Sequence, residues 1–179
     1  MTQCESDKVL VAKAQAGDGD SFTALCERYY PAMVAIAHAI IGDRHLGEDA
    51  AQQAFAKAAM NLPKLKDAER FGSWLAAICR NAARDVARAN AAFRERQKLA
   101  MAEERGDSDA MCEVVRAALK QLEPAGREVI YLRYYDGLSY ERISEVLGIS
   151  EQAINGRLRR AKKKLANRLR RMGFGEVQI

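Results

Sequence analysis

At 179 residues, 49% of them hydrophobic and with only 3 prolines and 12 glycines, the chain can bury one core or two small ones and is too apolar for general disorder. Alanine, leucine, arginine, lysine and glutamate are good helix formers, so an all-α protein is expected. The net charge is +5 but unevenly spread: residues 1–90 balance 11 basic against 11 acidic side chains, residues 91–111 carry 4 against 5, and residues 112–179 carry 14 against 8. Such a block suits a polyanion, either nucleic acid or an anionic membrane surface, and equally a solvated helix face.

The four cysteines (Cys4, Cys26, Cys79, Cys112) and two histidines (His38, His45) show no metal-ligand spacing, so neither a metal nor a cofactor is expected. Cys26 and Cys79 fall in apolar helical patterns and read as small core residues. With no nucleophile–base pair and no phosphate loop, an enzyme is disfavoured. The N-terminus MTQCESDK has no apolar signal core and no run of 18 apolar residues occurs, so a cytoplasmic protein without membrane insertion is expected.

In chain order, a short helix is predicted over about Asp7–Ala16, ending at Gly17-Asp18-Gly19. The next is capped near Asp20-Ser21, carries the stripe Phe22, Leu25, Tyr29, Met33, Ile36, Ala37 and Ile40, and stops at Gly42-Asp43. A third covers about Leu46–Asn61, ending before Pro63. Residues 62–70 read as a charged loop. A fourth helix runs from about Asp67 to Ala91 with Phe71, Trp74, Leu75, Ile78, Ala82 and Val86 on one side. Residues 93–111 lack an apolar stripe and read as a linker, partly helical at its start. Beyond it, Val115, Leu119 and Leu122 mark one helix, ended by Glu123-Pro124, and Arg127–Tyr135 forms the next, stopping at Asp136-Gly137.

The segment LSYERISEVLGISEQAINGRLRRAKKKL has the spacing of a helix-turn-helix. Ser139 caps a helix that buries Ile143, Val146 and Leu147. Gly148 takes the left-handed turn, Ile149 plugs the corner, and Ser150 caps a recognition helix over residues 150–165. Ile154, Leu158, Ala161, Leu165 and Leu169 share the packing side. Gln152, Gly156, Arg159 and Lys163 face outward, flanked by Asn155 and Arg160. Gln152, Asn155 and Arg159 are placed to meet base edges in a major groove, whereas Lys163, Lys164, Arg157 and Arg160 suit phosphates. An outward glycine at 156 costs roughly 1 kcal/mol in a helix, consistent either with close approach to DNA or with a tolerated surface position. A membrane surface is the poorer fit, because the apolar side carries no tryptophan, nor phenylalanine before Phe174.

Two N-terminal segments carry a resemblance: GEDAAQQAF (47–55), with Asp49, Gln52 and Phe55, and FGSWLAAICRNAARDVAR (71–88), with Phe71, Trp74, Leu75, Ile78 and Asn81. Together with Leu138-Ser139-Tyr140 and Arg157-Leu158-x-Arg160-Ala161, they resemble the extracytoplasmic-function group of the bacterial RNA polymerase sigma-70 family. The resemblance runs from Lys8 to Leu169. It implies two small helical domains joined by a flexible linker: sigma domain two (1–91), the linker (92–111) and sigma domain four (112–179). It further implies core RNA polymerase (its β′ clamp helices and β flap), promoter DNA and an anti-sigma factor as partners. On this resemblance Asp49, Gln52, Gln53 and Phe55 fall in the polymerase-binding helix, with Phe55 alternatively a core residue. Lys64, Lys66, Phe71, Arg80, Asn81, Arg84 and Arg88 fall in the part that melts and reads the −10 element. Asn81 matches an asparagine near the flipped bases, Phe71 stands between core and base contact, and Trp74 reads as core. Ser150, Gln152, Asn155, Gly156, Arg157, Arg159, Arg160 and Lys163 fall in the −35 reader.

The chain departs from the family pattern at Gln152–Arg157, where Gly-Thr-Val-Lys-Ser-Arg is frequent, and at Arg142 and Ser144, where Glu and Ala are common. The −35 sequence it prefers is therefore expected to differ. Two other readings fit the residues less well. A one-component regulator with a helical sensor accounts for residues 138–165 but not for the N-terminal motifs. A decoy that only sequesters an anti-sigma protein does not need the nine cations between Arg157 and Arg171.

Overall fold

The computed structural model describes residues 5–98 and 110–172, and all regular structure among them is helical. The N-terminal half contains α1 (Asp7–Gln15), α2 (Gly19–Ile41), α3 (Arg44–Asn61) and α4 (Phe71–Lys98). The C-terminal half contains α5 (Ala110–Lys120), α6 (Pro124–Ile130), α7 (Tyr140–Leu147) and α8 (Glu151–Arg171).

Helix α2 begins earlier than predicted. Asp18, not Asp20 or Ser21, is the cap: its carboxylate accepts from the Asp20 N–H at 3.1 Å and from the Ser21 hydroxyl at 2.5 Å, and Ser21 is buried. The chain then turns at Gly42, whose φ of +80° closes α2, and Asp43 caps α3 by accepting from the Leu46 N–H. Leu25, Met33 and Ile36 of α2 are fully buried against the small side chains Ala50, Ala51, Ala54 and Ala58 of α3 and against Phe71, Leu75 and Cys79 of α4. The alanines let helix axes approach closely, so a thin α3 suffices to cover the core.

Residues 62–70 are more ordered than a charged loop: two short 3₁₀ turns, Leu62–Lys64 and Ala68–Arg70, are pinned by the Gln15 amide donating to the carbonyls of Leu62 and Leu65. Helix α4 starts at Phe71 rather than near Asp67 and continues past Ala91 to Lys98, with residues 91–95 exposed. Favourable helix propensity carries it beyond its last buried residue. The predicted linker residues 99–109 lie outside the described residues.

In the C-terminal half, Pro124 occupies the first turn of α6, where its missing N–H costs nothing. The predicted single helix to Tyr135 is instead α6 followed by one π turn over Tyr131–Tyr135, closed by the Asp136 N–H donating to the Tyr131 carbonyl. The wider turn aims Tyr131 and Tyr135 at the N-terminal half and Tyr134 at α8, where Lys162 donates to its hydroxyl at 3.0 Å. The helix-turn-helix matches the expectation at its caps and its glycine corner, but Leu147, expected to be buried with Ile143 and Val146, is only half-buried. Ser139 and Ser150 accept from the N–H groups of Arg142 and Ala153, and Gly148 sits at φ +64°. Helix α8 buries Ile154, Leu158, Ala161, Leu165 and Leu169 and runs six residues past the predicted end, to Arg171.

The two halves pack on each other. His38 of α2 meets the rings of Tyr131 and Tyr135 edge-on at 4.8 and 5.0 Å, and Arg44 donates to the Tyr135 hydroxyl at 2.9 Å. Arg142 of α7 lies 3.9 Å over the Tyr29 ring and donates to the Arg28 carbonyl. The start of α4 abuts the end of α7 so closely that a Cβ at Gly72 would lie 2.9 Å from the Glu145 carbonyl oxygen and 2.8 Å from the Tyr29 ring.

Candidate nucleic-acid and polymerase interfaces

The outward side of α8 follows from its buried stripe. Gln152, Asn155, Arg159, Arg160 and Lys163 are exposed, and the half-exposed Gly156 is roofed by the Arg160 guanidinium, 3.4 Å from where a Cβ would stand. This first stretch offers amides near the helix N-terminus and cations further along, the order that suits base edges and then phosphates. Ser150 is exposed but its hydroxyl is engaged as the cap. Arg157 is half-buried beside α6, lining a cleft with Arg160, Lys164 and Glu123. Lys164 donates to Glu123 at 2.7 Å, so the cations are not all equally available.

On the N-terminal half, Lys64 and Asn81 line one open cleft of about 380 Å³ together with Lys57, Asn61, Trp74 and Ile78. Trp74 is therefore only half-buried: its ring packs at 5.9 Å from Phe71 on one side and forms the cleft wall on the other. The expectation that Trp74 is simply core is corrected in that respect. The reverse holds for Phe71, which is 0% exposed and stands edge-on to Tyr29 at 5.3 Å. It shapes the cleft from beneath and cannot itself touch DNA. Lys66 is exposed between the two 3₁₀ turns and does not line this cleft. Sequence reading missed Lys57 and Asn61, which sit at helical spacing at the end of α3. Only packing of α3 on α4 brings them beside Asn81.

Arg80, Arg84 and Arg88 of α4, expected at the −10 element, differ in their partners. Arg88 pairs with Asp85 at 3.2 Å in the open, Arg84 donates to the Asn81 amide oxygen at 3.1 Å, and Arg80 donates to Glu128 of α6 at 2.8 Å. The Arg80 and Glu128 side chains are only 26% and 11% exposed.

Helix α3 turns Asp49, Gln52 and Gln53 to solvent. Phe55 is on the other side: it is 8% exposed and stacks on Tyr30 with centroids 6.4 Å apart, so it supports the face from behind and is not part of it. Met60, 72% exposed on the same outward side, was not foreseen. Burial pushes the Cys26 thiol up to about 11 and the Cys79 thiol up to about 12, as befits packed and unreactive cysteines. Among the described residues no cluster of metal-ligating side chains occurs, and no helix is long and apolar enough to cross a membrane.

Comparison with known proteins matches these two halves to two family descriptions, "Sigma-70 region 2" over residues 25–93 and "Sigma-70, region 4" over residues 112–165. The chain is 33% identical to "Probable RNA polymerase sigma factor RfaY" of Xanthomonas campestris pv. campestris over 87% of its own length, but spans only 42% of that protein. It spans 64% of the ECF RNA polymerase sigma factor BldN of Streptomyces coelicolor, at 29% identity over 89% of its own length. With RNA polymerase sigma factor CnrH of Cupriavidus metallidurans it shares 30% identity over 90% of this chain and 93% of that one. The solved structure of CnrH in complex with the cytosolic domain of CnrY superposes with a TM-score of 0.62 at 29% identity, covering 93% of this chain and 98% of that one. With the helix-turn-helix in region 4 and the α3–α4 cleft in region 2, the chain belongs to the extracytoplasmic-function group of the sigma-70 family of RNA polymerase sigma factors.

Proposed function

We propose that this chain is a promoter-specificity subunit, acting in the bacterial cytoplasm, that docks on core RNA polymerase, captures the unpaired −10 element in region 2 and reads the −35 duplex with α8. The observation that carries this reading is the cleft of Lys57, Asn61, Lys64, Trp74, Ile78 and Asn81. An indole wall offers a stacking surface for one flipped base, two amides offer donors and acceptors for its edge, and two lysines suit the flanking phosphates. Region 2 has no net charge of its own over residues 1–90, so it needs the polymerase and the −35 contact to reach promoter DNA.

Polymerase docking is assigned to the α3 face of Asp49, Gln52 and Gln53, with Met60 as its apolar anchor. A small exposed apolar group among polar ones is the usual composition of a docking patch. The β flap is the proposed partner of region 4. The structure of CnrH with CnrY supports control by an anti-sigma protein here also. The domain assignment 1–91, 92–111 and 112–179 accompanies this reading.

Run-off transcription with purified core polymerase tests it. Adding the full chain to genomic fragments, its own upstream region included, is expected to yield discrete promoter-specific transcripts, and their absence would sink the proposal.

A further inference from the structure

The last turn of α2 and the helices α5 and α6 form a pocket of about 280 Å³ whose charged lining is all cationic: Arg116 and Lys120 of α5 and Arg127 of α6, over a floor of Ala39, Ile40 and Ile41. Arg116 and Lys120 are exposed and have no ion pair among the described residues. Arg127 donates one amino group to the Lys120 carbonyl at 3.0 Å, while its Nε is buried without a partner. The Lys120 arm lies across the end of α2, its Cε 3.2 Å from where a Cβ at Gly42 would stand. A helix C-terminus carries only about half an elementary negative charge, so most of the three cationic charges stay uncompensated. Like charges held around one concavity repel, and an anion with several charges removes that cost and takes up the donors. Gly42, Arg116 and Tyr131 also line a neighbouring cavity of about 700 Å³, well inside the roughly 300–1,000 Å³ of small-molecule sites. Its walls include Val115, Leu119, Ile130 and the rings of Tyr131, Tyr134 and Tyr135, the last two 57% and 48% exposed. The acid in its lining, Asp43, is engaged as the α3 cap, and Arg44 is paired with Glu48. An aromatic compartment joined to a cationic one suits a molecule that is planar at one end and multiply anionic at the other.

We propose that the α2–α5–α6 junction is a binding site for a nucleoside polyphosphate, with the phosphates on Arg116, Lys120 and Arg127 and the base stacked among the tyrosines. Charge-assisted bonds from two guanidinium groups and an ammonium fix the phosphate end, and a ring face accepts any base by stacking. A DNA strand fits less well, because a concave pocket floored by Ala39–Ile41 receives the end of a chain of phosphates and not its middle. The site uses none of the residues assigned to promoter DNA or to the α3 docking face, so it stands apart from those assignments.

The test is calorimetric titration of the full chain at physiological salt, with GTP, ATP and inorganic tripolyphosphate as probes. Wild type is expected to take up one GTP or ATP per chain and to melt higher in its presence. Arg116→Ala and Lys120→Ala change exposed positions, so the melting curve of the free chain should stay in place while nucleotide binding weakens about tenfold for each. Arg170→Ala, an equal loss of charge at the far end of α8, should leave nucleotide binding unchanged. Tyr134→Ala should weaken the nucleotides but not tripolyphosphate, which should bind less tightly than either nucleotide to wild type. No saturable binding, or binding that neither Arg116→Ala nor Lys120→Ala weakens, overturns the site. Tripolyphosphate binding as tightly as the nucleotides overturns the base compartment.

Discussion

Lys163 stands exposed on α8, one turn beyond Arg159, and has no ion pair among the described residues. A lysine in that setting neutralises a phosphate and carries no base information. Lys163→Ala is expected to weaken duplex binding nearly uniformly across sequences and to lower the salt slope by about 1, measured by titration at several ionic strengths. A loss confined to particular sequences would make Lys163 a base reader. Asp136, after the π turn, illustrates a different kind of cost. One of its carboxylate oxygens is buried without a partner, and burial pushes the group up from its ordinary 3.8 to about 6, against the opposing pull of Arg44. A raised carboxyl favours its neutral form in the fold, so it carries no penalty below about pH 4 and a full one above about pH 6. Asp136→Asn should therefore stabilise by about 1–2 kcal/mol near pH 7, discounted for partial exposure, with the gain fading as pH falls to about 4. Urea midpoints across that range check it, and a difference constant with pH would refute the cause. At this scale periodicity placed Phe71 and Trp74 on one stripe, and the reading of Trp74 as core with Phe71 ambiguous came out reversed: Phe71 is sealed and Trp74 half-buried. Which of two neighbouring aromatics is sealed depends on Tyr29 arriving from another helix.

Among the elements, α8 was the most legible because two independent signals agree: a capped start after a left-handed glycine, and a leucine-rich side at helical spacing. Leu158, at 2% exposure in the middle of that side, is expected to cost about 2–5 kcal/mol when cut to Ala, seen as a lower urea midpoint. Duplex binding by the folded fraction should persist, which separates the packing side from the reading side. Less legible were the ends. Asp18 and Asp20 are both good caps, and the choice falls to Asp18, whose carboxylate accepts from both the Asp20 N–H and the hydroxyl of the buried Ser21. The π turn left no trace in the pattern because one extra residue shifts Tyr131, Tyr134 and Tyr135 among faces that only neighbouring helices define.

For the whole molecule, two domains could be read from the change in charge and the loss of apolar stripe, but not their packing. Arg80 and Glu128 are 48 residues apart and each is a single charge in an ordinary helix, so no local periodicity announces their pairing. The proposed polymerase face belongs to this scale too. Asp49→Arg changes an exposed position, so the melting curve should stay put while holoenzyme formation on gel filtration is lost. Unchanged association with core enzyme would remove α3 from the docking surface.

The chain has one tryptophan, and it is Trp74, the wall of the cleft beside Asn81. The molecule thus comes with a built-in optical reporter at the place where a base is proposed to stack. Indole emission should dim as the cleft fills, giving an unlabelled readout of promoter opening against a background free of other tryptophans of its own.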